Sequence, residues 1–222
     1  MNKLETVDRR SVVVHFAVHG VGRPARPLDP GEDERWITVE QFDWLLEAVA
    51  EHEGAQLTFD DGNASDVEVV LPRLVSRGLR AEFFPLAGRV GERGYLDPDG
   101  LRQLVDAGMD VGSHGWERRD GQRLDDRQAE RELEAAPRLL TELSGHRVCH
   151  YSLPSGRPDR RVLRRLRDSG ATRVYASSRS LRAGTGPWLR PRVQVHREMD
   201  AQWVAGVLGG GFRRGMGGWW RG

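Results

Sequence analysis

The chain has 222 residues, 38% of them hydrophobic, which is enough for one sizeable core and too few for two ordinary domains with a linker. Lys and Arg number 34 against 33 Asp and Glu, and a net charge of +1 creates no global field that would draw the molecule onto nucleic acid or an anionic membrane. Cys149 is the single cysteine, the N-terminal segment is polar, and the apolar run 12–18 is too short for a signal core or a membrane span. A cytoplasmic protein is therefore expected.

Short apolar runs alternate with helical patterns along the chain, the mark of parallel strands joined by crossover helices. A strand over 12–18 leads into 20–35, where Pro24, Pro27, Pro30 and Gly31 predict a long loop without regular structure. A helix over 39–51 and a strand over 56–59 follow. The stripe Val67, Val70, Leu71 and Leu74 then predicts a helix over 66–77, with Pro72 marking a kink or a late start. After a strand over 81–86, Asp97-Pro98 opens a helix over 97–107 as N-cap and first helical residue. A strand over 110–112, a helix over 125–144 and a strand over 150–153 come next. The arginine-rich helix 159–169 reads as the solvated back of an amphipathic helix, not a nucleic-acid patch. Strands over 173–176 and 192–195 complete the pattern. Gly78, Gly108, Gly145 and Gly170 punctuate helix ends. Residues 1–208 are expected to form one α/β domain, and 209–222, with Trp219 and Trp220 among glycines, a flexible tail.

The chemistry-bearing residues lie where strands end. Leu57-Thr58-Phe59-Asp60-Asp61-Gly62 closes a strand with two adjacent carboxylates. In a parallel barrel the reaction centre lies at the carboxyl ends of the strands, so one carboxylate can bind a metal while the other takes a proton. Val111-Gly112-Ser113-His114-Gly115-Trp116 closes another strand with an imidazole able to ligate. His15 and His19 lie four apart across the end of the first strand, which suits one face.

The ordered set Thr58-Phe59-Asp60-Asp61-Gly62, Phe83-Phe84, Gly112-Ser113-His114 and Pro154-Ser155-Gly156 resembles the polysaccharide deacetylase family, the NodB-like carbohydrate esterases, over roughly 57–192. The resemblance implies a distorted (β/α) barrel in a single domain and metal-dependent removal of an acyl group from an N-acylated sugar or similar small amide. It implies a small-molecule or glycan substrate; the balanced charge and the short apolar run point to neither nucleic acid nor membrane as partner. Carried over residue by residue, it makes Asp60 the general base, Asp61 and His114 ligands of a divalent metal, zinc by expectation, and the Ser155 backbone N–H an oxyanion donor. Trp116, Arg118 and Pro154 become candidate substrate contacts.

The pattern is broken in places. The family has a second histidine four residues after the first, and this chain has Arg118, which carries no lone pair and would repel a dication. His19, Glu117 and His196 are the candidate substitute ligands, His196 also for a general acid. Ser152 stands where an arginine usually opens the third motif, so Asp60 lacks its familiar cationic partner, a role Arg118 could take. The alternative function is a non-catalytic relative that binds a carbohydrate or scaffolds a partner.

Overall fold

The structure, a computed structural model, describes residues 13–154, 160–177 and 187–209. Seven parallel strands form one sheet in the order β6-β5-β4-β1-β9-β8-β7. Their spans are β1 Val14–Val18, β4 Ala55–Asp61, β5 Ala81–Pro85, β6 Asp110–Val111, β7 His150–Ser152, β8 Arg173–Ser177 and β9 Leu189–Gln194. The two edges approach just past β6. Ser113 N–H donates to His150 O at 2.9 Å and Ser152 N–H to Ser113 O at 3.0 Å, so the sheet is a nearly closed barrel.

The helices are α1 Val39–Ala50, α2 Leu71–Ser76, α3 Pro98–Asp106, α4 Asp126–Glu130, α5 Ala136–Ser144, α6 Arg160–Asp168 and α7 Ala201–Leu208. Thr38 caps α1 in a reciprocal capping box with Gln41, and Asp97 caps α3 by accepting from Gly100 N–H at 2.7 Å. Pro72 marks a late start: a π-helical turn, Asp66–Val70, precedes α2. The predicted helix 125–144 is likewise split by a π turn, Arg131–Ala135, just before Pro137, which cannot donate to the regular ladder.

Alternation along the strands separates two layers. Leu57, Phe59 and Phe83 face the helices and join Phe42, Leu45 and Leu46 in the main core, with Phe59 stacked on Phe83 at 4.8 Å. Thr58, Asp60, Glu82, Ser152 and Arg192 are also buried and fill a polar interior, where Glu82 accepts from Tyr175 Oη at 2.7 Å and His15 meets Tyr175 edge-on. Burial pushes the His15 imidazole down to about 4, so it is neutral at pH 7 and serves packing.

Two expectations need correction. The segment after the first strand does hold regular structure: β2 Gly20–Val21 pairs in parallel with β3 Trp36–Ile37. The indole of Trp36 covers Gly20, where any Cβ would sit 2.3 Å from the ring, and a buried Arg26–Glu32 ion pair pins the intervening loop, with Arg26 also donating to Asn63 Oδ1 at 2.9 Å. Helix α7, absent from the sequence expectation, is capped by Asp200 and packs on α1. Among the described residues no helix is long and apolar enough to cross a membrane. The expected tail lies, from residue 210 on, outside the described residues.

Candidate active site

Asp60 and Asp61 end β4 at the carboxyl mouth of the barrel, both 2% exposed. Consecutive strand residues normally point to opposite faces. Here Asp61 adopts φ +73°, in the left-handed region that Asp tolerates better than most, and the chain turns sharply. Gly62 follows at φ +73° in a space where a Cβ would lie 2.6 Å from Pro85 Cβ. The turn thus needs glycine for both conformation and room.

His114 follows β6, is 2% exposed, and approaches Asp61 with Nε2 at 3.6 Å from Oδ1. Its Nδ1 lies 2.9 Å from Ser152 O, and a carbonyl only accepts, so Nδ1 carries a proton and Nε2 is the ring nitrogen turned toward Asp61. The loop beyond is fixed by buried Glu132, whose Oε2 accepts from Trp116 N–H at 2.7 Å and whose Oε1 accepts from Glu117 N–H at 3.1 Å. Arg118, at φ +62°, reaches back and donates from Nη1 to Asp61 Oδ2 at 3.2 Å, its side chain a quarter exposed.

The cation on Asp60 is Arg192 of β9, not Arg118. Arg192 donates from Nη1 to Oδ1 at 2.8 Å and from Nη2 to Oδ2 at 2.7 Å. It also donates to Thr58 Oγ1 at 2.9 Å and Ser152 Oγ at 2.6 Å. Ser152, small and polar where an arginine was expected, leaves the space in which the guanidinium from β9 lies. Burial by itself would raise the Asp60 carboxyl, but the Arg192 guanidinium, doubly hydrogen-bonded to it, holds it well below the usual carboxylate range. The sequence reading missed Arg192. A faint signal existed, because Arg190, Arg192 and Gln194 alternate with Pro191 and Val193, a polar face on a strand expected inside a barrel.

The family model described as polysaccharide deacetylase matches residues 49–174, more than half of the chain. The chain belongs to the polysaccharide deacetylase family. Members of this family are carbohydrate-directed hydrolases and generally metal-dependent. The fold resembles the Streptococcus pyogenes deacetylase PplD solved with acetate, with TM-score 0.74 at 15% identity over 88% of this chain and 97% of that one. It also resembles BC0361, a polysaccharide deacetylase from Bacillus cereus, with TM-score 0.74 at 16% identity over 88% and 68%. IcaB from Ammonifex degensii aligns with TM-score 0.62 at 21% identity over 86% and 99%. At these identities the likeness speaks for the fold. No curated protein sequence matches.

The deacetylase metal centre is only half present. Asp61 Oδ1 is buried without a hydrogen-bond partner and faces His114 Nε2 at 3.6 Å, as two ligands of one cation would. A catalytic zinc normally has three protein ligands, and among the described residues no group of three His, Cys, Asp or Glu side chains could hold a metal. None of the expected substitutes completes it. The Gln194 amide nitrogen, which also contacts the acceptors Ala17 O and Val195 O at 3.2 Å, lies 3.0 Å from His19 Nδ1; Nδ1 must accept, and the ring proton sits on Nε2. Burial pushes His19 down to about 4, so it is a neutral donor. The Glu117 carboxylate is taken by Arg119 at 3.0 Å and Arg131 at 3.6 Å. His196 packs edge-on against Trp203 of α7, at 5.1 Å between ring centroids. The residues present do not fit a resident catalytic metal.

The other candidates fall as follows. Trp116 is covered by Arg131, 4.6 Å above its ring, and backs onto Gly88. Pro154 lines a cavity of about 20 Å³ with Ser113, Tyr151 and Leu133, room for about one water and not for a sugar ring. Ser155 lies outside the described residues.

Asp66, fully buried like Asp60 and Asp61, has no well-formed hydrogen bond to either oxygen. Burial, then Asp61 and Asp60, push its carboxyl well above the usual range, so the folded state holds a proton that the unfolded chain releases above about 3.8. Stability is lost as pH rises from that value toward the raised pKa. Asp66→Asn is therefore expected to raise Tm at pH 7 and to leave it unchanged near pH 3; thermal melts across this range that show a pH-independent difference would contradict the assignment.

Proposed function

We propose that this chain acts as a deacetylase-type hydrolase on an N-acylated sugar or similar small amide, with the metal ligands reduced to Asp61 and His114. The supporting observation is the buried Asp60–Arg192 pair. Desolvating two charges costs several kcal/mol on each partner, and a pocket kept only to bind a neutral sugar gains nothing from that expense. A proton acceptor, by contrast, has to be ionised, aimed and shielded from bulk water. Arg192 keeps Asp60 ionised and fixes both oxygens, leaving the remaining lone pairs to take the proton of the water as it bonds to the acyl carbon and to pass it to the amine nitrogen as the C–N bond breaks. Arg118 supplies fixed positive charge beside the same point, of the kind that stabilises a developing oxyanion. A cytoplasmic compartment, expected from the lone Cys149, would make an intracellular glycan precursor or a specialised metabolite the natural substrate.

The Arg118–Asp61 contact favours a second reading, in which the pocket binds the acylated sugar without turning it over. Release of free amine from chitooligosaccharides and from N-acetylglucosamine separates the two. Under the first, the parent yields amine and Asp60→Asn yields none while its melting temperature stays within a few degrees. Binding by calorimetry without amine release from the parent would select the second.

A further inference from the structure

Two non-glycine residues among those described sit at positive φ, Asp61 at +73° and Arg118 at +62°, and they are the two partners of one ion pair. Strain of this kind persists only where the surroundings fix it, and it gathers at functional sites. The chain leading to Arg118 is fixed from both sides. The N–H groups of Ala87 and Gly88 donate to Gly115 O at 2.9 Å and to Trp116 O at 3.0 Å, while Glu132 takes the N–H groups of Trp116 and Glu117. Gly115, at φ +89°, leaves room for that carboxylate, which any Cβ would strike. The guanidinium therefore reaches Asp61 from a braced stem.

Arg118 donates from Nη1 to Asp61 Oδ2 at 3.2 Å, and among the described residues its Nη2 and Nε meet no acceptor. With the side chain a quarter exposed, those N–H groups are left for solvent or a ligand. Asp61 adjoins Asp60, so an acyl group brought to Asp60 meets this guanidinium. The place where the family puts a metal thus holds a cation tethered to the chain, one that is charged at every working pH and offers no lone pair. We propose that Arg118 is the resident cation of this site, that its free N–H groups hold the acyl oxygen of the ligand, and that the site engages an acylated ligand without a metal. The proposal rests on the pocket being an N-acyl amide site and adds which group takes the acyl oxygen. In the hydrolysis, the water oxygen bonds to the acyl carbon as the C=O π pair moves onto the oxygen that Arg118 holds. Asp60 takes the proton of that water. As the oxygen pair re-forms C=O, the C–N bond pair leaves with the amine nitrogen, which receives the proton, and the acyl group departs as its carboxylic acid.

Calorimetry on the full chain, dialysed against EDTA, tests it with N-acetylated chitotriose, the same trisaccharide without its acetyl groups, and zinc chloride as probes. The acetylated sugar is expected to bind better than the bare amine, with an affinity and a rate of amine release that EDTA and added zinc leave unchanged. Arg118→Ala is expected to weaken the acetylated sugar about tenfold or more and to cut kcat by about two to three orders of magnitude. Guanidinium chloride at a non-denaturing concentration should restore part of both losses. Arg118→Lys keeps a counter-charge beside Asp61, and with it the fold, but presents no planar fork, so it should fall between parent and Arg118→Ala. Zinc that binds the parent stoichiometrically and tightens the sugar or speeds amine release would overturn the proposal and leave the hydrolase reading standing. Affinity and kcat unchanged in both variants would do the same. Sugar binding that needs Arg118 and not zinc, with no amine released, would uphold the proposal and remove the hydrolase reading. If neither sugar binds, the proposal is overturned as well.

Discussion

Arg118→His is expected to raise the affinity for zinc by about three orders of magnitude. A unit charge about 4 Å from a second one, at an effective dielectric near 20, interacts by roughly 4 kcal/mol, and each 1.4 kcal/mol is about tenfold in a binding constant. Removing the guanidinium from Asp61 withdraws a repulsion of that size and frees Oδ2, which Arg118 occupies at 3.2 Å. The new imidazole adds a third ligand to Asp61 and His114, the number a catalytic zinc site uses while keeping a position open for water. Position 118 sits at φ +62°, a conformation in which His is enriched among non-glycine residues, so the backbone accepts the change. Zinc titration followed by calorimetry, with metal content of the dialysed protein, measures the effect for parent and variant. An unchanged affinity would mean that the loop held by Glu132 does not deliver a shorter side chain to Asp61. A parent that already binds zinc stoichiometrically would mean that Arg118 swings aside and that the two-ligand remnant suffices.

The second large effect is on stability. Arg192→Met is expected to cost about 3–5 kcal/mol, because it leaves the Asp60 carboxylate buried without its counter-charge and strips a donor each from Thr58 and Ser152. Urea unfolding at pH 7 reads the loss. Adding Asp60→Leu to that variant should restore most of it, since no uncompensated charge then remains in the barrel. The linkage has a definite sign. Asp60 is held below its ordinary value of 3.8, so its contribution is complete above that pH and is lost as pH falls through the depressed folded value. The gap between parent and Arg192→Met should accordingly be widest at neutral pH and close in acid. A gap that persists unchanged in strong acid would point to packing around the Met side chain and away from the ion pair.

Much of the architecture was legible in the chain. Seven strands and most helices were readable because short apolar runs of three to seven residues ending in turn residues describe strands buried on both faces, and because Gly78, Gly108, Gly145 and Gly170 take the positive φ expected at helix ends. The β2–β3 pair and α7 escaped for a local reason. Two-residue strands carry no periodicity, and the pair is held by Trp36 closing over Gly20 across an interval rich in proline. Helix α7 spans only eight residues, Ala201–Leu208, and draws its stability from packing on α1.

By itself the sequence determined that Asp60 and Asp61 close one strand and that His114 follows another, while the family resemblance marked Arg118 as standing where a second histidine is usual. Residue identity and spacing suffice for that, because strand ends of a parallel barrel share one mouth. Who pairs with whom was decided only by the tertiary structure. Arg192 lies 132 residues from Asp60 in sequence yet next to it through the β1–β9 and β1–β4 ladders, while Arg118, on a loop turned back by a positive φ, falls on Asp61. The tautomer of His19 was decided the same way, by a glutamine amide 175 residues away. Charges separated so far along the chain meet only when strand order brings them together, and no local pattern encodes strand order.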